Sequence, residues 1–178
     1  MAGIPPIAGL SHIDLTVTDV SVSRAFYAEV LGFAQKDVTT TSAFTGVVLS
    51  RDDLPFTIGL NWCEAADGSA FDEMRTGMDH LPFLVPTRVH LEAWQERLRD
   101  HGVVFTPIVH VGSGDVLVFR DPDNIQLEFF PIIRGLTPSP GAAFADTPLG
   151  VVLRVRHRQL RRTTALGAPR RRSTTARP

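Results

Sequence analysis

Three side chains in this 178-residue sequence have the types and placement that metal chemistry needs: His12, His80 and Glu128. From Ile125 to Phe130 the apolar Ile125, Leu127 and Phe129 alternate with Gln126, Glu128 and Phe130, so Glu128 points away from the apolar face of a strand. His12 and His80 are likewise out of phase with Ile13, Leu15, Leu81 and Phe83. A carboxylate on an inward-facing strand position is costly to bury without a partner. Two imidazoles and one carboxylate on neighbouring strands make a facial triad, which leaves about three coordination positions for water or substrate and suits Fe(II), Mn(II) or a similar ion. An all-sulfur site is excluded, because Cys63 is the only cysteine. Taken singly, each residue has a plainer account: a strand histidine that only hydrogen-bonds, or a glutamate paired with an arginine such as Arg120. Taken together, at matching positions of a repeat, they favour a metal.

The repeat is visible in the elements that position them. Leu10 to Val17 alternates as a half-buried strand, with Ile13, Leu15 and Val17 on one face and His12, Asp14 and Thr16 on the other. Asp19 or Ser21 can cap a following helix whose stripe is Val22, Phe26 and Val30, and Gly32 sits where a glycine would end it. Val47 to Ser50 and Phe56 to Trp62 read as two further strands. The pattern then restarts, with Asp79-His80-Leu81-Pro82-Phe83-Leu84-Val85 echoing Ser11 to Val17 at an offset of 68. A second helix carries Leu91, Trp94 and Leu98 on one stripe and ends at Gly102. Val103 to Phe105, Val116 to Phe119 and Ile125 to Phe130 complete it, the last two joined by the turn Asp121-Pro122-Asp123-Asn124. The fold class is therefore α+β: two tandem βαβββ modules whose curved mixed sheet surrounds a cleft. His90 and His101 fall at the ends of the second helix and His110 in a loop. Gly112-Ser113-Gly114 lacks the strand and helix context of a phosphate loop and reads as a hairpin connection or a lid over the cleft.

Charge divides the chain near Gly150. All 19 acidic residues precede that point, and nine of the 18 basic residues, all arginine, follow it, leaving a body of −10 and a tail of +9. An acidic body argues against nucleic-acid binding by the core. No stretch approaches the roughly 20 uncharged apolar residues of a membrane span. The first ten residues carry Pro5 and Pro6 where a signal peptide would be apolar, and a single cysteine fits a reducing compartment, so the expected location is the cytoplasm. After Pro138, Pro140 and Gly141 the arginine-rich text has no sustained periodicity and reads as disordered, although Leu149 to Arg158 alternates enough for a short strand.

The motifs Ser-His-Ile-Asp-Leu-Thr-Val-Thr-Asp-Val, Arg24-Ala25-Phe26-Tyr27 and Leu31-Gly32-Phe33, with Gly77-Met78-Asp79-His80-Leu81 and Phe119 to Phe129, resemble the vicinal oxygen chelate superfamily of glyoxalases, bleomycin-resistance proteins and extradiol dioxygenases. The resemblance covers 7–132, with modules at about 7–64 and 77–132, a linker at 133–150 and the tail at 151–178. It implies a divalent ion (Fe, Mn, Zn or Ni) held by His12, His80 and Glu128, acting on a small molecule through two neighbouring oxygens. A metal-free protein that only sequesters a drug is the alternative it allows. Where glyoxalases place a fourth ligand, this chain offers no carboxylate but Asn61 and Cys63, and a three-ligand site looks more like the dioxygenases or thiol-transferring resistance enzymes. Phe44, Trp62 and Phe130 are candidate pocket walls. The expected assembly is a homodimer, its modules paired within one chain or exchanged between two.

Truncation near Pro138 is expected to leave the melting temperature within a few degrees, because nothing beyond it belongs to either repeat. Limited trypsin digestion should cut first between Arg154 and Arg172; an insoluble truncation or a protected tail would place Leu149 to Arg158 in an ordered strand.

Overall fold

The computed structural model describes residues 3–111 and 114–131; the expected linker and tail lie outside the described residues. Two βαβββ units follow one another. The first contains β1 (His12–Thr16), α1 (Val20–Glu29), β2 (Ala34–Thr40), β3 (Phe44–Ser50) and β4 (Thr57–Cys63). The second contains β5 (Leu81–Val85), α2 (Arg88–Asp100), β6 (Val109–Val111), β7 (Gly114–Arg120) and β8 (Gln126–Pro131). Each unit forms its own four-stranded sheet, in the orders β1-β4-β3-β2 and β5-β8-β7-β6. In both, the first strand runs parallel to the last and the remaining pairs are antiparallel. The duplicated architecture is the one the sequence implies, built as two sheets rather than one continuous surface.

One hydrophobic core serves both units. Leu15, Leu49, Ile58 and Leu60 from the first sheet cluster with Phe83, Phe119, Leu127 and Phe129 from the second. Aromatic rings bridge the units, Phe33 and Phe56 lying 6.3 and 6.5 Å from Phe83, and within the second unit Trp94 of α2 stacks on Phe129 at 4.4 Å. Arg97 of α2 crosses to donate to the carbonyls of Glu29 and Val30 at the C-terminus of α1, where those oxygens have no helical partner and the helix dipole attracts a cation. Because both sheets turn one face to this shared core, the opposite faces, which carry the site candidates, are directed away from it.

Three local expectations are corrected. Val22, expected on the buried stripe of α1, is 52% exposed, while Ser23 and Tyr27 are fully buried. Polar contacts rotate the helix: the Ser23 hydroxyl donates to Asp123 at 2.8 Å and the Tyr27 hydroxyl to Asp121 at 3.2 Å. The strand expected at Val103 to Phe105 supplies only a bridge from Phe105 to Phe119, since the Val103 N–H still closes the end of α2 on Leu98; the strand is β6, and His110 lies within it. Strand β2 escaped the sequence reading because all seven of its residues are exposed and a bulge between Gln35 and Asp37 breaks its alternation. The cap at Asp19 is as expected, its carboxylate accepting from the N–H groups of Ser21 and Val22.

The Asp121–Asn124 turn joins the units. Asp123 accepts from the Thr18 N–H at 2.8 Å and hydroxyl at 2.6 Å, and Asp121 accepts from the N–H groups of Asp123 and Ile125 at 3.0 and 2.7 Å. Burial, reinforced by the charge of Asp123, lifts Asp121 from 3.8 to about 6. The higher pKa belongs to the folded state, so the protonated form is favoured there: the contribution of Asp121 to stability is full below about pH 4 and is lost as pH rises through 6. Asp121→Asn is expected to remove a pH-dependent loss of up to about 3 kcal/mol between pH 4 and 7, measured as the difference between urea midpoints at the two pH values. An equal slope in both proteins would place the titration elsewhere.

Candidate functional site

The second sheet brings two of the three candidate ligands together. Pairing of Pro82 with Glu128 and of Val118 with Glu128 puts Glu128 on the face opposite Leu127 and Phe129, where it is only 3% exposed. His80 immediately precedes β5 and shares the parity of Pro82 and Leu84. Its Nε2 lies 3.7 Å from Oε2 of Glu128, and its Nδ1 makes a short contact to the Asp79 carboxylate. A carboxylate at Nδ1 and a free Nε2 on the side of Glu128 is the way metal-binding histidines are commonly oriented.

His12 stands apart. It opens β1 and is exposed, with Nδ1 3.1 Å from the Ser11 hydroxyl. Strand register places Asp14, Thr16, Gly59, Asn61, Cys63, Val48 and Gly46 on the same face as His12. Among the described residues no group of three or more histidine, cysteine, aspartate or glutamate side chains is close enough to hold a metal. Asn61 and Cys63, the candidate fourth ligands, thus accompany His12 and not His80. Phe44 lies on this face too, its ring and the Asn61 Oδ1 covering Gly46 at 2.8 and 2.9 Å from where a Cβ would stand. Asp14 covers Gly59 in the same way. Trp62 is on the other face; with half-buried Cys63, Thr16 and Asp123 it lines a cavity of about 330 Å³ under the segment joining the units. Phe130 is half-buried on the Glu128 side of β8.

Two contributors were not singled out from sequence. Asp79 could have been, since a carboxylate beside a candidate ligand histidine is a recognisable orienting pair. Glu73 could not: it comes from the connecting segment and forms a bidentate pair with Arg120 at 2.7 and 2.9 Å, both side chains largely buried. Arg120 also donates to Gln126 Oε1 at 3.1 Å and to the Asn124 carbonyl at 2.8 Å.

Duplicated βαβββ units, with His12 opening the first strand of one, His80 just before the first strand of the other and Glu128 on the last strand, define a paired-module α+β fold. A model of the Glyoxalase/Bleomycin resistance protein/Dioxygenase superfamily matches residues 9–129, and the chain belongs to that superfamily. A glyoxylase/bleomycin resistance protein/dioxygenase domain from Frankia sp. EAN1pec is 33% identical, with a TM-score of 0.64 over 70% of this chain and 97% of that one. FosX, a fosfomycin resistance protein from Listeria monocytogenes complexed with Mn(II) and sulfate, is 21% identical, with a TM-score of 0.57 over 72% and 95%. TnmS3, an antibiotic binding protein from Streptomyces sp. CB03234, is 18% identical, with a TM-score of 0.56 over 73% and 100%. The last two likenesses show the fold alone. No curated protein matches the chain, and no helix among the described residues is long and apolar enough to cross a membrane.

The contact over Gly59 is testable by a double-mutant cycle. A Cβ at position 59 would overlap Asp14 Oδ1, so Gly59→Ala is expected to cost about 1 kcal/mol, whereas in an Asp14→Ala background the cost should vanish or reverse, as for a strand glycine freed of its neighbour. Equal effects in both backgrounds, read from denaturant midpoints, would show that Asp14 does not occupy that space.

Proposed function

We propose that this protein binds a small molecule at a divalent-metal site shared between two copies of the chain, with His12 of one copy completing the pair His80 and Glu128 of the other. The observation that carries this is the His80 Nε2 to Glu128 Oε2 approach at 3.7 Å, with Nδ1 held by Asp79, while His12 faces outward from the same chain. The donor set fits the ion: two neutral imidazoles and one carboxylate suit Fe, Mn, Zn or Ni and leave open positions. When bound, such an ion supplies a Lewis acid to two neighbouring oxygens of a substrate, chemistry common to the lyases, isomerases and dioxygenases this superfamily contains. The residues of the chain do the rest. Asp79 and Ser11 fix the two imidazole rings, and the partner's sheet closes the exposed face of β1 against water.

The shared core supports an exchanged arrangement. Each chain uses the inner faces of both its sheets to pack its own units together, so the faces bearing His12 and Glu128 are left for a second chain. Isologous pairing would then build two equivalent sites per dimer. A metal-free, drug-sequestering protein remains the competing account, and TnmS3 shows that this fold hosts antibiotic binding.

Mixed dimers test the proposal directly. His12→Ala and His80→Ala are each expected to lower metal affinity by orders of magnitude. An equimolar mixture, unfolded and refolded together, should regain about a quarter of the wild-type sites, because each heterodimer carries one intact site and one doubly broken site. Metal content by atomic emission reads the result. No regain would place all three ligands within one chain, and wild-type protein taking up less than about a tenth of an equivalent would establish the metal-free account.

A further inference from the structure

We infer that the ligand of this site presents a cationic or hydrogen-bond-donating group to Asp14, so that the cleft selects neutral or positively charged chelating molecules against anionic ones. The inference rests on the shared metal site and specifies its substrate class.

Asp14 lies two residues from His12 on the same face of β1, one pleat repeat of about 7 Å along the strand. Its carboxylate makes no hydrogen bond or ion pair within the described residues and is laid across the bare backbone of Gly59, which leaves it open to whatever occupies the cleft. Asp37, paired with Val48, brings a second carboxylate to that face. Strands β1, β3 and β4 contain no lysine or arginine, and the one lysine of β2, Lys36, falls in the bulge between Gln35 and Asp37. On the opposing wall Arg120 shares the face of Gln126 and Glu128, and it is the cation that could receive an anionic headgroup; it is instead neutralised by Glu73 in a largely buried bidentate pair. A divalent ion with Glu128 carries a formal +1, which Asp14 cancels, while Asp37 and its neighbour Lys36 offset each other. A phosphonate or carboxylate entering such a cleft would meet no lysine or arginine on β1, β3 or β4, whereas an ammonium or a sugar hydroxyl would meet Asp14. Two charges about 7 Å apart in a partly screened cleft change affinity by about tenfold.

Three catechols sharing one chelating unit isolate the effect: 3,4-dihydroxyphenethylamine (cationic), catechol (neutral) and 3,4-dihydroxybenzoate (anionic), titrated anaerobically by calorimetry into the full-length Mn(II)-loaded protein. Affinity is expected to fall in that order, with at least about tenfold between the first and last. Asp14→Asn should shrink this ratio about tenfold while catechol itself still binds. Glu73→Gln, which frees Arg120, should raise the affinity for the anionic probe by about the same factor. Equal affinities for all three probes, a preference for the anion, or an unchanged ratio in Asp14→Asn would overturn the inference while leaving the metal site standing. Failure of neutral catechol to bind protein that has taken up Mn(II) would overturn this inference and the proposed chelation of neighbouring oxygens, whereas failure to take up the ion would overturn the metal-site proposal and this inference with it.

Discussion

The buried carboxylates of Asp121 and Asp123 determine how the two units of this chain meet. Their side chains sit in the turn before β8 and draw donors from Thr18, Ser23 and Tyr27 of the first unit. Each such bond replaces water around a carboxylate that would otherwise be expensive to bury. Satisfying them sets α1 in rotation, brings Phe33 and Phe56 over Phe83, and places the C-terminus of α1 within reach of Arg97. The turn thus positions β8, and β8 carries Glu128. Through this one network the packing between units and the location of the site are coupled.

The same packing creates an asymmetry between the two halves of the site. On the second sheet Glu128 is buried and His80 half-buried, and His80 is oriented by a charged acceptor. On the first sheet His12 is exposed and touches only the Ser11 hydroxyl. A carboxylate-held imidazole is the more basic and better-fixed donor. His80 and Glu128 therefore stand together within one chain, whereas on the proposed assembly His12 gains its environment only when its face is covered.

Much of this was legible in the sequence. Period-two alternation placed β1, β5 and β8 with their inward and outward residues, and the offset of 68 between His12 and His80 exposed the duplication. What failed did so for identifiable reasons. Strand β2 has no buried face to leave a periodic signal, so its seven residues looked like a loop. The stripe of α1 was assigned one residue out of phase because Ser23 and Tyr27 are buried through hydrogen bonds to a turn 94 and 100 residues away, contacts no local window contains. The parity of His12, His80 and Glu128 was readable strand by strand, but parity is a property of one sheet and says nothing about which two sheets face each other. His12 accordingly joined the correct face without joining His80.

The placement of the glycines links that face to its use. Gly59 and Gly46 occur at neighbouring cleft-side positions, where a β-branched residue would ordinarily strengthen a strand. Their cost to the sheet is offset by what they admit: Asp14 lies flat over one and Asn61 with Phe44 over the other. On the proposed assembly these side chains form the floor beside His12, low enough to leave room above them for a ligand between two sheets that would otherwise pack about 10 Å apart. Filling either glycine would push a polar side chain up into that space. The sequence thus spends strand stability at the two positions where depth and polarity are needed together, and keeps Val47, Leu49, Ile58 and Leu60 on the opposite face, where the shared core restores it.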